Sequence, residues 1–400
     1  MKPNTAKIPV SHGGNLPRPE SLDELLFQGE SQRAAITAVL PGAVQGVIDR
    51  QIACGIDLVN DGEYVKAAGG GNYGSYIFDR LTGFSQLPVD PQRPPKRDIS
   101  GARDRDDFPG FYESGLWFTG SGGPVRPGFS TPGAPPPERT EVVCTGPLSY
   151  TGSAAIAADV DAIAEGLRGK DNPGFIAALG PLSLAAGRRN DHYPDEESYL
   201  FAAAEAMREE YRAVTDAGLV LQVDEPEFAT GWMFHPDWTV EQYRRYLEQC
   251  VEVVNHSLVG LPREQIRFHV CWGSGHRPHT NDIELQHFAD LLVKVTAQVY
   301  AVESSNVRHA HEWKVWQDVK LPEGTKLMPG VVAHSTDLVE HPNLVAERLL
   351  NFASVVGKEN LEAGTDCGIG SRVGHAEIVW AKLEALSAGA AIASAQLWPS

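Results

Sequence analysis

Short apolar runs alternate with helical patterns along most of this chain, which restricts the folds open to it. The helical stretches repeat apolar residues with a period near 3.6 and lie at residues 34–53, 196–217, 240–257, 283–295 and 344–356. Strand-like runs lie at residues 7–11, 56–60, 175–179, 219–223, 266–271, 299–302, 327–333 and 361–365. Alternating strands and helices build a parallel sheet, and eight strands favour closure into a (βα)8 TIM barrel. We therefore predict an α/β fold with residues 1–400 as one catalytic barrel domain.

One segment interrupts this alternation after the second strand. Residues 84–137 are crowded with Pro, Gly and charged side chains. The segment is too long for an ordinary connection, which predicts an inserted loop or lid. The apolar run at 142–144 that follows predicts an added strand near the barrel mouth.

Polar residues follow the predicted strands where barrel enzymes keep their active sites, at the carboxyl ends. Four of them are residues that bind soft metal ions: His269, Cys271, Glu303 and Cys367. Any one alone is more often structural, but as a set at separate strand ends they predict a mononuclear zinc site. Two thiolates and a carboxylate make zinc a poor activator of water while leaving a bound thiolate nucleophilic. The set therefore favours thiol alkylation over hydrolysis.

Three further strand-end residues have two interpretations each. Glu63 and Asp224 could hold a substrate ammonium through charge-assisted hydrogen bonds, or serve as a helix cap or a salt bridge. His334 could act as a general acid, or simply be hydrogen-bonded. The loop histidines at 276, 279, 309 and 311 could hold a second metal, but a polar rim around the barrel mouth is the favoured interpretation.

The net charge and the number of cysteines limit the classes of partner and the cell compartment expected for this protein. A net charge of −18 argues against nucleic-acid and anionic-membrane partners. The five cysteines are widely spaced and odd in number, so they indicate no disulfide framework. Residues 1–10 lack the apolar core of a signal peptide. Together these features predict a cytoplasmic protein acting on small molecules; a homo-oligomer is possible.

The order of the strand-end motifs resembles the cobalamin-independent methionine synthase family, specifically its catalytic C-terminal barrel. The resemblance covers most of the chain apart from the insertion. The motifs that carry it are Asp61-Gly62-Glu63, Gln222-Val223-Asp224-Glu225-Pro226, His269-x-Cys271, Glu303 and Asp366-Cys367-Gly368. Full-length synthases of this kind carry a second, N-terminal barrel, for which a 400-residue chain has no room.

The resemblance implies roles for the matching residues. Zn²⁺ bound by the two cysteines, the histidine and the glutamate would hold homocysteine as its thiolate. Glu63 and Asp224 would hold its amino group, and His334 would assist protonation of the folate leaving group. Asn15 replaces the serine common in the loop that binds the substrate carboxylate.

The implied function is zinc-dependent S-alkyl transfer, with methylation of homocysteine to methionine favoured. The stretches at residues 311–322 and 364–367 are also similar to epoxyalkane:coenzyme M transferases, which makes epoxide opening by coenzyme M the alternative. A sulfonate thiol would need Arg18, Arg308 or Arg372 to face the metal. A non-catalytic zinc scaffold is a third hypothesis. The donor could be methyltetrahydrofolate, a methylated corrinoid or an epoxide.

Overall fold

A computed structural model describes residues 6–64, 66, 73–90, 92, 102–113, 140–273, 277–370 and 373–399. The strands in this part are β1 (Leu81–Pro88), β2 (Thr140–Tyr150), β3 (Phe175–Leu179), β4 (Arg189–Asn190), β5 (Val220–Asp224), β6 (Ile266–Val270), β7 (Val299–Val302), β8 (Lys326–Val332) and β9 (Gly364–Thr365). Strands β3, β5, β6, β7, β8 and β9 form one parallel sheet in that order. Six of the eight predicted barrel strands are therefore in this sheet.

The first two predicted strands join the ends of the sheet through isolated bridges. Val10 pairs in parallel with Ala363 beside β9, and Val59 pairs in parallel with Gly174 at the start of β3. The Val10 carbonyl also accepts from the Asp57 N–H at 2.9 Å, which connects the two segments. The curled sheet thus continues around the circle, and the predicted α/β barrel fold is confirmed.

The segments on either side of the insertion form a small sheet with β4. Strands β1 and β2 pair antiparallel, and β2 pairs in parallel with the short β4. The strand predicted at 142–144 lies within β2. Residues 91, 93–101 and 114–139, most of the predicted lid, lie outside the described residues.

A buried ionic cluster connects this small sheet to the barrel helices. Glu210 is fully buried and accepts hydrogen bonds from the hydroxyls of Tyr76 and Tyr150 and from Arg80. The other end of the Arg80 guanidinium donates to Asp159 at 2.6 Å. Burial would raise the pKa of Glu210, but the charges of Arg80 and Lys66 and the tyrosine hydrogen bonds together outweigh burial and lower the pKa. Removing one partner of such a cluster leaves an uncompensated buried charge, so these contacts hold the insertion in place.

The α-helices in the described residues cover the outside of the barrel and the connections. They are α1 (Glu20–Phe27), α2 (Arg33–Ala53), α3 (Ala102–Arg105), α4 (Pro109–Glu113), α5 (Ser153–Gly166), α6 (Pro181–Ala185), α7 (Glu196–Asp216), α8 (Glu227–Thr230), α9 (Val240–Leu258), α10 (Ala289–Leu292), α11 (Pro342–Val356) and α12 (Ala376–Leu397). Short 3₁₀ turns lie at Gly29–Gln32, Tyr73–Asp79, Gly231–Phe234, Arg263–Gln265, Leu285–His287, Glu312–Gln317 and Lys358–Asn360. Four of the five predicted helices match α2, α7, α9 and α11 closely.

The helix predicted over residues 283–295 was wrong. The chain there forms only the turn Leu285–His287 and the short α10. Side chains occupy the backbone groups that a longer helix would need: Trp272 Nε1 donates to the Ile283 carbonyl, and the Leu285 N–H donates to Glu312. Tertiary contacts thus override a helical periodicity.

Helix α12 is long and apolar enough to span a membrane by length and composition alone, and no other helix in the described ranges passes that test. Half of its most apolar window is buried inside the fold. Its fully buried Lys382 pairs with Glu340 at 2.8 Å in the loop after β8. Helix α12 therefore packs one face against the rest of the fold, as a helix of the outer layer of a barrel does.

Candidate metal centre and substrate site

The alternation of side chains along β6 and β7 aims the predicted ligands into the barrel. Side chains two apart on a strand share a face. On β7, Tyr300 and Val302 belong to the main apolar core, whereas Val299 and Ala301 belong to a separate small cluster. Glu303 comes two residues after Ala301 and therefore lies on the same face as Val299 and Ala301. By the same alternation His269 lies on one face with Arg267, opposite Phe268 and Val270 in the main core.

Three of the predicted metal ligands meet at the carboxyl end of the sheet. One nitrogen of His269 and the sulfurs of Cys271 and Cys367 all lie within 4.8 Å of one another. The Cys271 thiol donates to the Cys367 sulfur at 3.9 Å. That bond and the His269 ring lower the pKa of Cys367, while the same bond and burial raise the pKa of Cys271. The pair therefore holds one proton most firmly on Cys271 and favours a thiolate at Cys367.

The imidazole of His269 has nitrogens suited to a metal ion. It is 2% exposed, and neither ring nitrogen has an oxygen or nitrogen partner in the part of the chain described. Burial alone would lower its pKa, but the hydrogen bond and charge of Cys367 outweigh burial and raise it. Buried polar atoms are nearly always satisfied, so such a ring beside two sulfurs fits a metal ligand.

Glu303 lies beside this trio but forms a second group. Its carboxylate is within 4.8 Å of His334 and Asp366, both also buried. Its oxygens accept from the Trp272 N–H at 2.7 Å and from Asn306 Nδ2 at 3.0 Å. Burial and the Asp366 charge raise the pKa of Glu303 to about 8. The Glu303 charge in turn contributes to the raised pKa of Cys271, which places the two groups side by side.

Asp366 is a residue of this site to which the sequence motifs alone assign no role. Its Oδ1 accepts from the N–H groups of Ser304 and Ser305 at 2.8 Å each, and its Oδ2 accepts from the Ser305 hydroxyl. Both oxygens are therefore used within the protein. Asp366 ties the loop after β7, which begins with Glu303, to the loop that carries Cys367.

The two predicted substrate carboxylates come together in the same mouth. Glu63 and Asp224 are both buried, and burial together with the Asp224 charge raises the pKa of Glu63 well above its ordinary value. Glu63 has a positive φ of 61°, rare for a residue with a side chain and common at functional sites. Gly14 makes room for it, since an added Cβ there would lie 2.1 Å from Glu63 Oε1. The two acids therefore interact closely, and the nearby charge of Lys66 partly offsets the rise in the pKa of Glu63.

Asn15 lies where the loop before α1 meets the loop after β9. Its carbonyl accepts from the N–H groups of Ile369 and Gly370. Its Oδ1 is buried and has no hydrogen-bond partner among the described residues. An added Cβ at Gly368 would lie 2.7 Å from the Asn15 backbone nitrogen, so this approach requires glycine. A buried acceptor without a partner fits a site that binds a ligand here.

His12, a buried histidine that the sequence analysis does not predict as a site residue, holds the loop before α1 in place. His12 Nε2 lies 2.8 Å from Gln51 Oε1, and its Nδ1 accepts from the Gly14 N–H. The Gln51 amide also donates to the Asn60 carbonyl at 2.7 Å, and Asn60 donates to the Gly14 carbonyl. His12 is thus neutral with its proton on Nε2. Burial accordingly lowers its pKa to about 4.

The depressed pKa of His12 predicts an acid-sensitive fold. Because the folded-state pKa lies below the unfolded value of about 6.5, the stabilisation is present above that value and lost as the pH falls towards 4. The loss amounts to about 3 kcal/mol on full titration. Urea unfolding between pH 7 and 4 should show a shallower loss of stability for His12→Asn than for wild type. Equal pH slopes in the two proteins would contradict the assignment.

Two of the loop histidines, His279 and His309, are buried rather than part of the predicted polar rim. His309 and His279 are 3% and 8% exposed and both hydrogen-bond to Asp282 Oδ2. His311 is exposed, and His276 lies outside the described residues. Acidic side chains occupy the ring nitrogens of His309, so the alternative of a second metal there gains no support.

The cations expected to receive a sulfonate are engaged elsewhere. Arg18 pairs with Asp23 at 2.6 Å, and Arg308 donates to the carbonyls of His279 and Thr280. Arg372 lies outside the described residues.

Known proteins resemble this chain in fold and, at low identity, in sequence. The family model of the cobalamin-independent synthase catalytic domain matches residues 150–391. A methionine synthase of Pyrococcus horikoshii is 23% identical over 195 residues, 48% of this chain and 50% of that protein. The 2-hydroxypropyl-CoM lyase of Xanthobacter autotrophicus is 24% identical over 251 residues, 56% of this chain and 62% of that protein. The matches thus span about half to three fifths of these relatives.

Solved structures show the same fold over nearly the whole chain. The B12-independent methionine synthase from Shewanella sp. W3-18-1, in complex with selenomethionine, superposes with a TM-score of 0.70 at 20% identity, covering 98% of this chain and 99% of that one. A putative vitamin-B12-independent methionine synthase from Listeria monocytogenes gives 0.63 at 14% identity, covering 99% and 100%. Because the family model matches more than half of its residues, the chain belongs to the cobalamin-independent synthase family.

Proposed function

We propose that this protein is a zinc-dependent thiol S-alkyltransferase, and that its favoured reaction is methyl transfer to homocysteine, giving methionine. The observation that carries the proposal is the convergence of His269, Cys271 and Cys367 at the carboxyl end of a parallel barrel. Its family consists of enzymes that transfer methyl or alkyl groups, which agrees with this chemistry.

The donor set fits zinc. Zinc takes thiolate sulfur at about 2.3 Å, so two sulfurs on a tetrahedral ion lie about 3.8 Å apart. The 3.9 Å between Cys271 and Cys367 agrees with that separation and is far too long for a disulfide, whose sulfurs lie about 2.05 Å apart. Glu303 is the proposed fourth ligand. Zinc bound there would supply one function, removal of the proton from an incoming thiol near neutral pH.

The surrounding side chains favour a thiol that carries an amine. Glu63 and Asp224 lie in the mouth with repelling charges, and a substrate ammonium would offset that repulsion. Arg18 and Arg308 are engaged with protein groups and so offer poor partners for a sulfonate. Homocysteine meets these requirements, with the Asn15 amide as the proposed partner for its carboxylate.

His334 is the proposed proton donor. It is buried beside Glu303 and Asp366, and its charge contributes to the low pKa of Cys367, so it faces the metal group. In the transfer, the sulfur–carbon bond forms as the bond from that carbon to the donor breaks. With a folate or an epoxide as donor, the leaving nitrogen or oxygen then takes a proton, which His334 can deliver, whereas a corrinoid leaves as cobalt(I) without one. Methyltetrahydrofolate, a methylated corrinoid and an epoxide remain the candidate donors.

Epoxide opening by coenzyme M is the second candidate. The observation in its favour is that the match to the 2-hydroxypropyl-CoM lyase covers more of this chain than the match to the Pyrococcus methionine synthase. Free cysteines throughout the described residues agree with a cytoplasmic location, which we propose for either reaction.

Cobalt substitution tests the proposal. Metal-free protein reloaded with Co²⁺ should show a sulfur-to-metal absorption band that intensifies when homocysteine is added. Coenzyme M giving the larger change would favour the second candidate. A tightly bound ion whose spectrum no thiol alters would instead indicate a closed structural site. The productive thiol should then accept an alkyl group from one of the three donors, followed by mass spectrometry.

A further inference from the structure

The loop after β7 contains a buried histidine held between two carboxylates. His309 Nδ1 lies 2.9 Å from Glu312 Oε2, and its Nε2 lies 3.2 Å from Asp282 Oδ2. Both partners accept hydrogen bonds, so both ring nitrogens carry a proton and the ring is an imidazolium. Burial would lower its pKa, but these hydrogen bonds outweigh burial and raise the pKa to about 9.

The two carboxylates are themselves held in place. Asp282 Oδ2 also accepts from His279 Nδ1 at 2.6 Å, and Glu312 Oε1 accepts from the Leu285 N–H at 2.8 Å. The side chains of Asp282 and Glu312 are 2% and 5% exposed. His309 therefore sits in a dry clamp that hydrogen-bonds both of its ring nitrogens and leaves the ring little freedom to rotate.

Two paths lead from His309 to the oxygens of Glu303. Its ring stacks on the Trp272 indole at 3.9 Å, with 20° between the planes. Trp272, which follows Cys271 directly, donates its backbone N–H to Glu303 Oε2 at 2.7 Å. The backbone N–H of His309 donates to the Asn306 carbonyl at 2.9 Å, and the Asn306 amide donates to Glu303 Oε1 at 3.0 Å. The residues that hold both Glu303 oxygens thus contact one residue, Trp272 through the imidazolium ring of His309 and Asn306 through its backbone N–H.

We propose that His309 is a positioning residue that fixes the Glu303 carboxylate beside the two sulfurs. This inference rests on the proposed metal-dependent function. His309 need not touch the substrate or the metal ion, since it acts through Trp272 and Asn306. Residues that orient metal ligands in this way typically contribute about 10–100-fold to metal affinity.

Cobalt(II) spectra of full-length variants test the proposal. His309→Gln removes the cation and one of the two carboxylate contacts, and Asn306→Ala removes one path to Glu303 without disturbing the buried clamp. Both should weaken Co²⁺ binding by about 10–100-fold and shift the ligand-field bands relative to wild type. The matched control is His256→Gln, because His256 also pairs with a carboxylate, Glu205 at 2.9 Å, but on the exposed face of α9.

The possible results distinguish the inference about His309 from the proposed metal-dependent function on which it rests. If His309→Gln does not fold, His309→Asn, which can still donate to one carboxylate, takes its place, and Asn306→Ala tests only the path through Asn306. Wild-type Co²⁺ affinity and spectrum in the folded variants would overturn the inference while leaving the proposed function intact. Failure of the wild-type protein to bind Co²⁺ or Zn²⁺ would overturn both. A loss of thermal stability without any change in the cobalt spectrum would show that the clamp is purely structural, which also contradicts the proposal.

Discussion

A Cys367→Ser variant is expected to lose its metal ion and with it nearly all transfer activity. A complete zinc shell is worth about 10–16 kcal/mol in small zinc domains, so one of four ligands contributes about 3–4 kcal/mol, or about 10²–10³-fold in affinity. Cys367 is the sulfur that the Cys271 thiol and His269 favour as a thiolate. A serine hydroxyl cannot replace that charge near neutral pH. Zinc content after dialysis against a weak chelator, together with the methyl-transfer rate, measures both losses.

Cys54→Ser is the matched control for that substitution. Cys54 is a free cysteine at the end of α2, 5% exposed, and its sulfur lies 3.9 Å from Glu384 of α12. Burial raises the pKa of Cys54 to about 11, so it carries a thiol and offers no thiolate to a metal. Its replacement should leave zinc content unchanged. If Cys367→Ser retained a full equivalent of zinc, the proposed centre would be wrong.

The positions of the barrel strands could be predicted from the sequence, because buried parallel strands need continuous apolar runs. The runs at 175–179, 266–271 and 299–302 correspond to β3, β6 and β7. The pairing of β1 with β2 was not readable, since its partners are more than fifty residues apart and no local pattern encodes that register. Nor could periodicity reveal that Trp272 and Glu312 occupy backbone groups of the segment at 283–295.

The convergence of three candidate metal ligands was predictable to the same depth. Strand-end position and residue type were enough to select His269, Cys271 and Cys367, because the carboxyl ends of parallel strands meet at one edge. The hydrogen bonds of Glu303 to Trp272 and Asn306 depend on loop conformations that spacing alone does not specify. The roles of these four ligands, of Glu63, Asp224 and Asn15, and of His334 stay predictions until a metal and a thiol are measured.

Asp224→Asn is expected to raise the KM for homocysteine by about 10–150-fold, with a smaller change in kcat. A hydrogen bond to a charged group is worth about 1.5–3 kcal/mol, and this substitution removes the charge while keeping the shape. Asp224 also raises the pKa of Glu63, after the larger effect of burial, so the two acids are close enough to interact, as the proposed ammonium site requires. Steady-state kinetics with homocysteine and with 4-mercaptobutyrate, which lacks the amino group, would isolate the ammonium contribution.

A comparison of homocysteine, 4-mercaptobutyrate and coenzyme M as substrates shows which class of thiol Glu63 and Asp224 select. If Glu63 and Asp224 bind an ammonium, wild type should prefer homocysteine to 4-mercaptobutyrate, and Asp224→Asn should reduce that preference. The control is Glu205→Gln, which neutralises an exposed carboxylate on α7. Two results together would contradict homocysteine as the substrate. Wild type would prefer coenzyme M to homocysteine, and Asp224→Asn would gain activity with coenzyme M. Removal of a negative charge can help only a thiol whose other end is anionic, so the sign of this change identifies the substrate class.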